Sequence, residues 1–373
     1  MKWVFWIAAS AIAYAYGGYP VWLWLRSRWA PRPVRRGFAE PAVSVLMVVR
    51  NEEAAIARKL ENLLALDYPA QKLELVVVSD GSSDGTAAIL ERFARDPRVK
   101  TLLKASSEGK AAGLNGAMKR ASGEIVLFTD VRQPIETGAL RCLVENFTDV
   151  EVGCASGELM LGDPERGETG QGMGLYWRIE KKIRELESAS ASVAGATGAI
   201  YCARRDLLEP LPAGTILDDV LLPMQVARKG FRVIFDSRAR AWDSPNLGEG
   251  REFARKVRTL GGNYQLLQLA PWLLTSQNPI RFEFVSHKLF RLAVPFALLT
   301  LLLASIWLPQ PFYRVALVAQ LVFYALSLAG IAGVKLGPLS RGADAARTFV
   351  VLNSAAAVAF VNFVAGRKAA WVR

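Results

Sequence analysis

The chain has 373 residues, 52% hydrophobic and 21% charged, with a formal net charge of +12. That mixture excludes both a uniform soluble domain and a pure membrane bundle, because the apolar residues gather at the two ends. The positive excess sits beside those ends and forms no basic stripe interleaved with aromatics, so it speaks for membrane topology and against nucleic acid. Three scattered cysteines, Cys142, Cys154 and Cys202, exclude a disulfide framework and a zinc site and fit a reducing cytoplasm.

Residues 3–25 run without a charge and carry tryptophans near both ends, which predicts a retained transmembrane anchor over 1–26. Arg26, Arg28, Arg32, Arg35 and Arg36 follow, and the positive-inside rule puts the next domain in the cytoplasm. Pro31, Pro33 and Gly37 mark a basic linker over 27–40. From Pro41 the pattern alternates. Strands are predicted at Val43–Val49, Leu73–Ser79, Val99–Lys104 and Glu124–Thr129, with helices at Glu53–Ala65 and Lys110–Ala121. Such alternation predicts an α/β domain, 41–250, built on a mostly parallel sheet. Beyond residue 150 come a strand near Cys154–Met160, a charged helix near Tyr176–Ser190, a Gly/Ala turn at Gly195–Ala199 and a helix from Asp219 to Lys229.

Residues 251–285 include a stretch that sorts Arg251, Arg255, Lys256 and Arg258 from Tyr264, Leu266, Leu267, Leu269 and Trp272. It reads equally as an amphipathic segment at the membrane interface or as a helix packed on the soluble domain. Apolar stretches at 288–308, 312–334 and 347–365 predict two or three transmembrane helices within 286–373. If all three span, the tail with Arg367, Lys368 and Arg373 lies outside, unless the last segment is re-entrant.

Acids punctuate the predicted strand ends, where ligands bind in open α/β sheets. Asp80, followed by Gly81-Ser82-Ser83, is placed to contact a base or ribose, or else belongs to a turn in which Asp84 caps the next helix. Asn51-Glu52 follows the first strand at the same edge, and Lys110 and Asn115 open the next helix, a place that suits phosphate or base. Each of these also reads as a cap or a solvated side chain. Asp130 ends its strand where one carboxylate can hold a divalent cation on a diphosphate. Asp218 and Asp219 open a helix after a Pro/Gly-rich approach, and paired acids shift each other toward a general base. A single cap would explain one of them more easily than both. The only histidine, His287, stands at the threshold of a predicted span and reads as structural.

In order and spacing, these residues resemble the inverting, membrane-bound family 2 glycosyltransferases, which include cellulose, hyaluronan and poly-N-acetylglucosamine synthases. The resemblance covers roughly 41–262 and the flanking membrane layout. It implies a GT-A fold, a UDP-sugar donor and Mg²⁺ or Mn²⁺. It also implies a lipid-linked or polysaccharide acceptor, a bacterial inner-membrane location and partner subunits or a second copy of the chain. Asn51-Glu52 and Asp80 resemble the nucleotide contacts, Lys110 the lysine of the nucleotide pocket, and Asp130 the first acid of the D-x-D metal motif. Thr197 and Gly198, within Gly195–Ala199, resemble the turn beside the acceptor. Asp219 resembles the catalytic base of the T-E-D motif, with Asp218 replacing its glutamate. Two positions depart from the pattern. Arg132 replaces the second acid of D-x-D, and a guanidinium neutralises phosphate but binds no cation. The Q-x-x-R-W motif keeps only Arg258, with Thr259 in place of the sugar-stacking tryptophan, for which Tyr264 or Trp272 would have to substitute. The altered D-x-D also suits an inactive scaffold of a polysaccharide secretion complex.

Overall fold

The computed structural model describes residues 1–162, 175–243, 249–334 and 337–367. Its strands are β1 Val43–Val49, β2 Leu73–Asp80, β3 Val99–Lys104, β4 Ile125–Phe128, β5 Val152–Leu161, β6 Tyr201–Arg204 and β7 Arg232–Asp243. They form one sheet in the order β3-β2-β1-β4-β6-β5-β7. β1 lies parallel to β2 and to β4, and β2 is parallel to β3. Every residue of β1 is buried, since helices cover both faces of the sheet, and its sequence accordingly shows no alternation and is apolar at every position but Ser44. Val43 pairs with both Leu73 and Ile125, so the carboxyl ends of β1, β2 and β4 finish together and bring Asn51, Asp80 and Asp130 to one edge.

The helices in chain order begin with α1 Lys2–Ala13, which continues through a π-turn at Tyr14–Gly18 into α2 Tyr19–Trp29. In the sheet domain follow α3 Glu53–Leu64, α4 Thr86–Phe93, α5 Lys110–Arg120, α6 Ala139–Val144, α7 Leu175–Ser190 and α8 Asp218–Arg228. After them come α9 Glu249–Leu269, α10 Arg281–Phe284, a second π-turn at Val285–Leu289, α11 Phe290–Trp307, α12 Pro311–Ile331 and α13 Ser340–Val364. Ile56, Leu60, Leu90 and Leu140 close one face of the sheet, and Leu114, Ala117, Val220 and Leu222 the other.

The turn expected at 195–199 leads directly into a strand that the sequence reading missed. β6 lies between β4 and β5, antiparallel to both, and makes the sheet mixed. The final strand, β7, pairs in parallel with β5.

The segment after α2 is no free linker. The Arg32 backbone N–H donates to Ala189 O at 2.8 Å, that of Arg35 donates to Asp149, and the Arg36 side chain donates to Asn146. Within 251–275, α9 packs on the segment before α8 and on α13. Gly262 approaches the segment before α8 so closely that a Cβ there would lie 2.6 Å from Leu217 Cγ, and Gln265 brackets that segment with bonds to Ile216 N–H and Gly214 O. Tyr264 stacks on Phe363 of α13 at 5.3 Å, and Trp272 carries the Arg228 guanidinium at 4.4 Å. Both rings offered as substitutes for the stacking tryptophan are therefore engaged inside the protein.

Three stretches are long and apolar enough to cross a membrane: Arg281–Trp307, Pro311–Ile331 and Gly337–Val364. They leave large side chains such as Leu299, Val315, Val318, Leu328 and Val361 exposed, which is the surface of an integral membrane protein. The N-terminal helix does not reach the same mean hydropathy, yet it lies antiparallel along α11. Phe5 packs with Ala304 and Leu308, Tyr14 meets Phe290 at 4.9 Å, and Arg26 pairs with Glu283. Its outward residues include Trp3, Trp6, Trp22 and Trp24. Of the basic tail, Lys368 and Arg373 lie outside the described residues.

Candidate active site

α5 and α8 both begin at the carboxyl edge of the sheet, and their first residues meet the end of β4. Lys110 Nζ lies 3.1 Å from Asp130 Oδ1 and 3.2 Å from Asp218 Oδ1. Burial disfavours the ammonium, but Asp130, Asp218 and Asp219 outweigh it, and the Lys110 pKa is raised. Asp218 is buried and Asp130 stands open, its side chain 42% exposed. Asp219 is half-buried, and its pKa rises to about 6. Removal from water is the main cause and Asp218 adds to it, while Lys110 and Lys288 pull the other way. The Gly195–Ala199 turn fits closely over this acid. Ala196 N–H donates to Asp219 O at 2.7 Å, and a Cβ on Gly198 would sit 3.2 Å from Asp219 Oδ2. Glycine at 198 thus leaves that side of the carboxylate uncovered.

Below the centre lies Tyr201, fully buried and stacked on Phe128 at 4.6 Å, whose hydroxyl has no partner among the described residues. Burial, then Asp218 and Asp219, push its pKa well above the usual value, so it stays a neutral donor beside the acids. Lys59 is a second residue absent from the sequence reading. It is buried under the Asp130 loop and donates to Thr129 Oγ1 at 2.9 Å and to Gln133 O. Burial lowers its pKa to about 7 against the pull of Asp130.

Several sequence candidates are committed to building the site's walls. The Asp80 carboxylate accepts from Ser107 Oγ, Glu108 N–H and Gly109 N–H at 2.7, 3.0 and 2.9 Å, which fixes the loop leading into Lys110. Burial opposes its ionisation, but these donors lower its pKa. Asn51 takes a left-handed backbone, φ 54°, and its Oδ1 accepts from Ser83 N–H. Asp84 accepts from Thr86 N–H and from Glu53 N–H, joining α3 to α4. Asn115 pairs with both polar groups of the Leu211 peptide, holding the approach to Asp218. Thr197 Oγ1 accepts from Arg184 at 2.7 Å.

Three further candidates remain, Glu52, Arg132 and Arg258. Glu52 has its pKa raised by burial, with Asp84 and Asp130 adding and the nearby exposed Arg132 opposing. Arg258 lies one turn before Gly262, on the face of α9 that meets the segment before α8, and its Nε has no partner among the described residues.

A mixed, mainly parallel sheet with acids and a lysine at its carboxyl edge is a GT-A-like architecture, here with apolar helices beside it. Residues 44–211 match Glycosyl transferase family 2. It is 23% identical over 239 residues to poly-beta-1,6-N-acetyl-D-glucosamine synthase of Staphylococcus epidermidis, covering 62% of this chain and 56% of that one. The same synthase from Staphylococcus aureus (strain COL) is 23% identical over 234 residues, 60% of this chain and 55% of the relative. The chain thus spans about half the length of the curated relatives it matches. Among solved structures, the mannosyltransferase PcManGT from Pyrobaculum calidifontis, in complex with GDP-Man and Mn²⁺, has a similar fold. It superposes with a TM-score of 0.73 at 23% identity, over 98% of this chain and 99% of that one.

Proposed function

We propose that the protein is a membrane-anchored inverting glycosyltransferase that moves a sugar from a nucleoside-diphosphate sugar to a hydroxyl of a lipid-linked or polysaccharide acceptor. The observation that carries this is Asp219, a carboxylate with a pKa of about 6, bare toward Gly198 and next to a lysine held charged. Asp219 accepts the proton of the acceptor hydroxyl, whose oxygen attacks the anomeric carbon. The bond from that carbon to the phosphate oxygen breaks, and its electron pair leaves on the nucleoside diphosphate. Lys110, Arg132 and Arg258 surround the place where that charge grows. The intact acid–lysine centre favours an enzyme over an inactive scaffold.

A Mg²⁺ or Mn²⁺ ion fits a one-carboxylate site at Asp130. Lys110 occupies Oδ1 on one side while the other side of this exposed group is open, and Mg²⁺ is commonly held by one carboxylate plus substrate phosphates and water. When bound there, the ion supplies positive charge to the leaving diphosphate. Among the described residues no group of three His, Cys, Asp or Glu forms a ready metal cage, so donor phosphates and water would supply the remaining ligands beside Asp130.

The donor is expected to be a UDP-sugar. The synthases' names make UDP-N-acetylglucosamine the first to try, and the GDP-Man bound to PcManGT makes GDP-mannose the control. The purified full chain in lipid vesicles is given each donor, with Mn²⁺ or chelator, and nucleotide release and sugar transfer are measured. Asp219→Asn should retain nucleotide binding and lose transfer by roughly 10²–10⁴-fold. Near-normal turnover in that variant would remove Asp219 from the role.

A further inference from the structure

The transfer chemistry leaves one buried lysine without a part. α3 buries a stripe at Ile56, Lys59, Leu60 and Leu63, the spacing of one helix face, and Lys59 fills a position that a core gives to an apolar side chain. It is 2% exposed. Taking an amine of lysine out of water is costly unless its hydrogens are bonded, so it must meet acceptors there. It meets two, both on the segment that follows β4. Nζ donates to Thr129 Oγ1 at 2.9 Å and to Gln133 O. Asn62, three residues further along α3, pairs with both polar groups of the Ile135 peptide at 2.8 Å each. α3 thus grips residues 129–135 at Thr129, Gln133 and Ile135. Val131 and Gln133 are buried, while Arg132 is exposed and Asp130 stands open.

The direction of the hydrogen bonds carries this grip further. β4 and β6 run side by side as far as Phe128 and Tyr201, the last pair of their ladder. Beyond it the Thr129 hydroxyl bridges the two chains and donates to Ala199 O at 2.8 Å, against 3.3 Å to Asp130 O. A carbonyl oxygen only accepts, so the single hydroxyl proton goes to Ala199 and Oγ1 receives its own bond from Lys59. The order is fixed: Lys59 to Thr129, and Thr129 to Ala199. Ala199 closes the turn whose Ala196 N–H donates to Asp219 O at 2.7 Å. A chain of bonds therefore runs from Lys59 through the start of the Asp130 loop to the helix end that bears Asp219. Thr129 is buried, which shields the middle link from competing water.

Resting on the transferase reading above, we propose that Lys59 is a positioning residue for sugar transfer, which holds the Asp130 loop and the Gly195–Ala199 turn in one register. In that reading the donor diphosphate lies against the loop, and the acceptor hydroxyl lies over Asp219 beside the turn. The reacting atoms meet only while these two pieces of backbone keep their separation, and a misplacement of about 1 Å can cost on the order of 10²-fold in rate. Lys59 touches neither substrate. Its loss is felt in turnover more than in the binding of either one.

The test uses the full chain in lipid vesicles, with UDP-N-acetylglucosamine or GDP-mannose as donor and a long-chain alkyl glycoside as acceptor. Lys59→Met keeps a long side chain and removes its donors. It should lower kcat for transfer about tenfold or more, with KM for each substrate moving less than about threefold. Calorimetric nucleotide binding counts the folded molecules to which each kcat is scaled. Thr129→Val keeps the shape, removes the bridging hydroxyl and should act in the same direction, whereas Thr129→Ser should keep most of the rate. Because both changes break one chain of bonds, the double variant should be no more than about twofold slower than Lys59→Met alone. Amide exchange without substrates reads the same link independently of activity. Lys59→Met should speed exchange at 129–133 and at 195–200 together.

A kcat per folded molecule within about twofold of wild type in Lys59→Met would overturn the proposal. So would single losses that multiply in the double variant. Faster exchange confined to 129–133 would overturn it too, since Lys59 would then prop its own loop alone. If Lys59→Met does not fold, the threonine pair decides, and a Thr129→Val variant as fast as Thr129→Ser removes the bridge. Absence of both nucleotide release and transfer in the wild type would instead overturn the transferase reading, while the exchange comparison still decides whether Lys59 joins the two segments.

Discussion

As the proposed base, Asp219 combines a pKa of about 6 with a location one turn-glycine away from the acceptor. Only its ionised form accepts a proton, so transfer under saturating substrates should climb with pH up to about 6, close to tenfold per pH unit at the acid end, and level off above. Lys110 opposes the upward shift, and its loss moves the balance toward the neutral acid. Lys110→Met should therefore displace the midpoint to higher pH as well as slow the reaction. A rate that stays flat from pH 5 to 8 in the wild type would disconnect Asp219 from the rate-limiting proton transfer. At this scale the sequence was informative in an uneven way. Asp130, Asp218 and Lys110 could be picked out because charged residues at strand and helix ends stand out against apolar runs. Lys59 could not, because a lysine in an amphipathic helix reads as solvated, and only the fold buries it under Thr129. Tyr201 was hidden for the opposite reason, being one aromatic among many with its hydroxyl turned inward.

Elements place these groups, and the most consequential link is the Asp80 carboxylate. It ties the end of β2 to the loop before α5, and three donors of that loop depend on it. Gly81 allows the close approach, with φ +66° and a hypothetical Cβ only 2.4 Å from Ser107 N. Removing the carboxylate leaves two backbone N–H groups without their acceptor, at about 1–3 kcal/mol. Asp80→Ala should thus lower stability by that order in denaturant titration, and speed amide exchange at 106–109. It should also raise the KM for the nucleotide sugar more than it lowers kcat, because Lys110 is displaced from the donor side. Unchanged exchange in that loop would show that Asp80 does not organise it and would return it to direct nucleotide contact. Strands β1, β2 and β4 were legible because strands buried on both faces are written as apolar runs rich in β-branched residues. β6 was not, because four residues after a Gly/Ala turn carry no period. α9 kept two readings open because an apolar stripe is the same whether lipid or Leu217 covers it.

At the scale of the whole molecule, the sheet domain is fastened to the membrane helices through α7, α9 and the segment after α2, and the direction of insertion decides whether it meets nucleotide sugars. Arg26, Arg32 and Arg36 pair with Glu283, Glu151 and Asp236 in the folded protein. The chain inserts before those acids are in place, so all five arginines after the first helix count toward retention on the cytoplasmic side. The first helix runs antiparallel to α11 along its length, with Trp6 stacked on Phe312 at 5.5 Å at one end and Arg26 on Glu283 at the other. If the two helices cross together, the α11–α12 connection emerges beside the N-terminus, opposite the sheet domain. Val150 is 78% exposed on that domain, and Gln310 is exposed in the connection. In intact cells Gln310→Cys should react readily with an impermeant thiol reagent, while Val150→Cys should react only after permeabilisation. The native thiols are buried or half-buried and give a low background. Labelling of Val150→Cys in intact cells, with Gln310→Cys protected, would invert the topology and leave the site without access to cytosolic nucleotide sugars. Protection of both would show that the first helix and α11 lie on the membrane without crossing it.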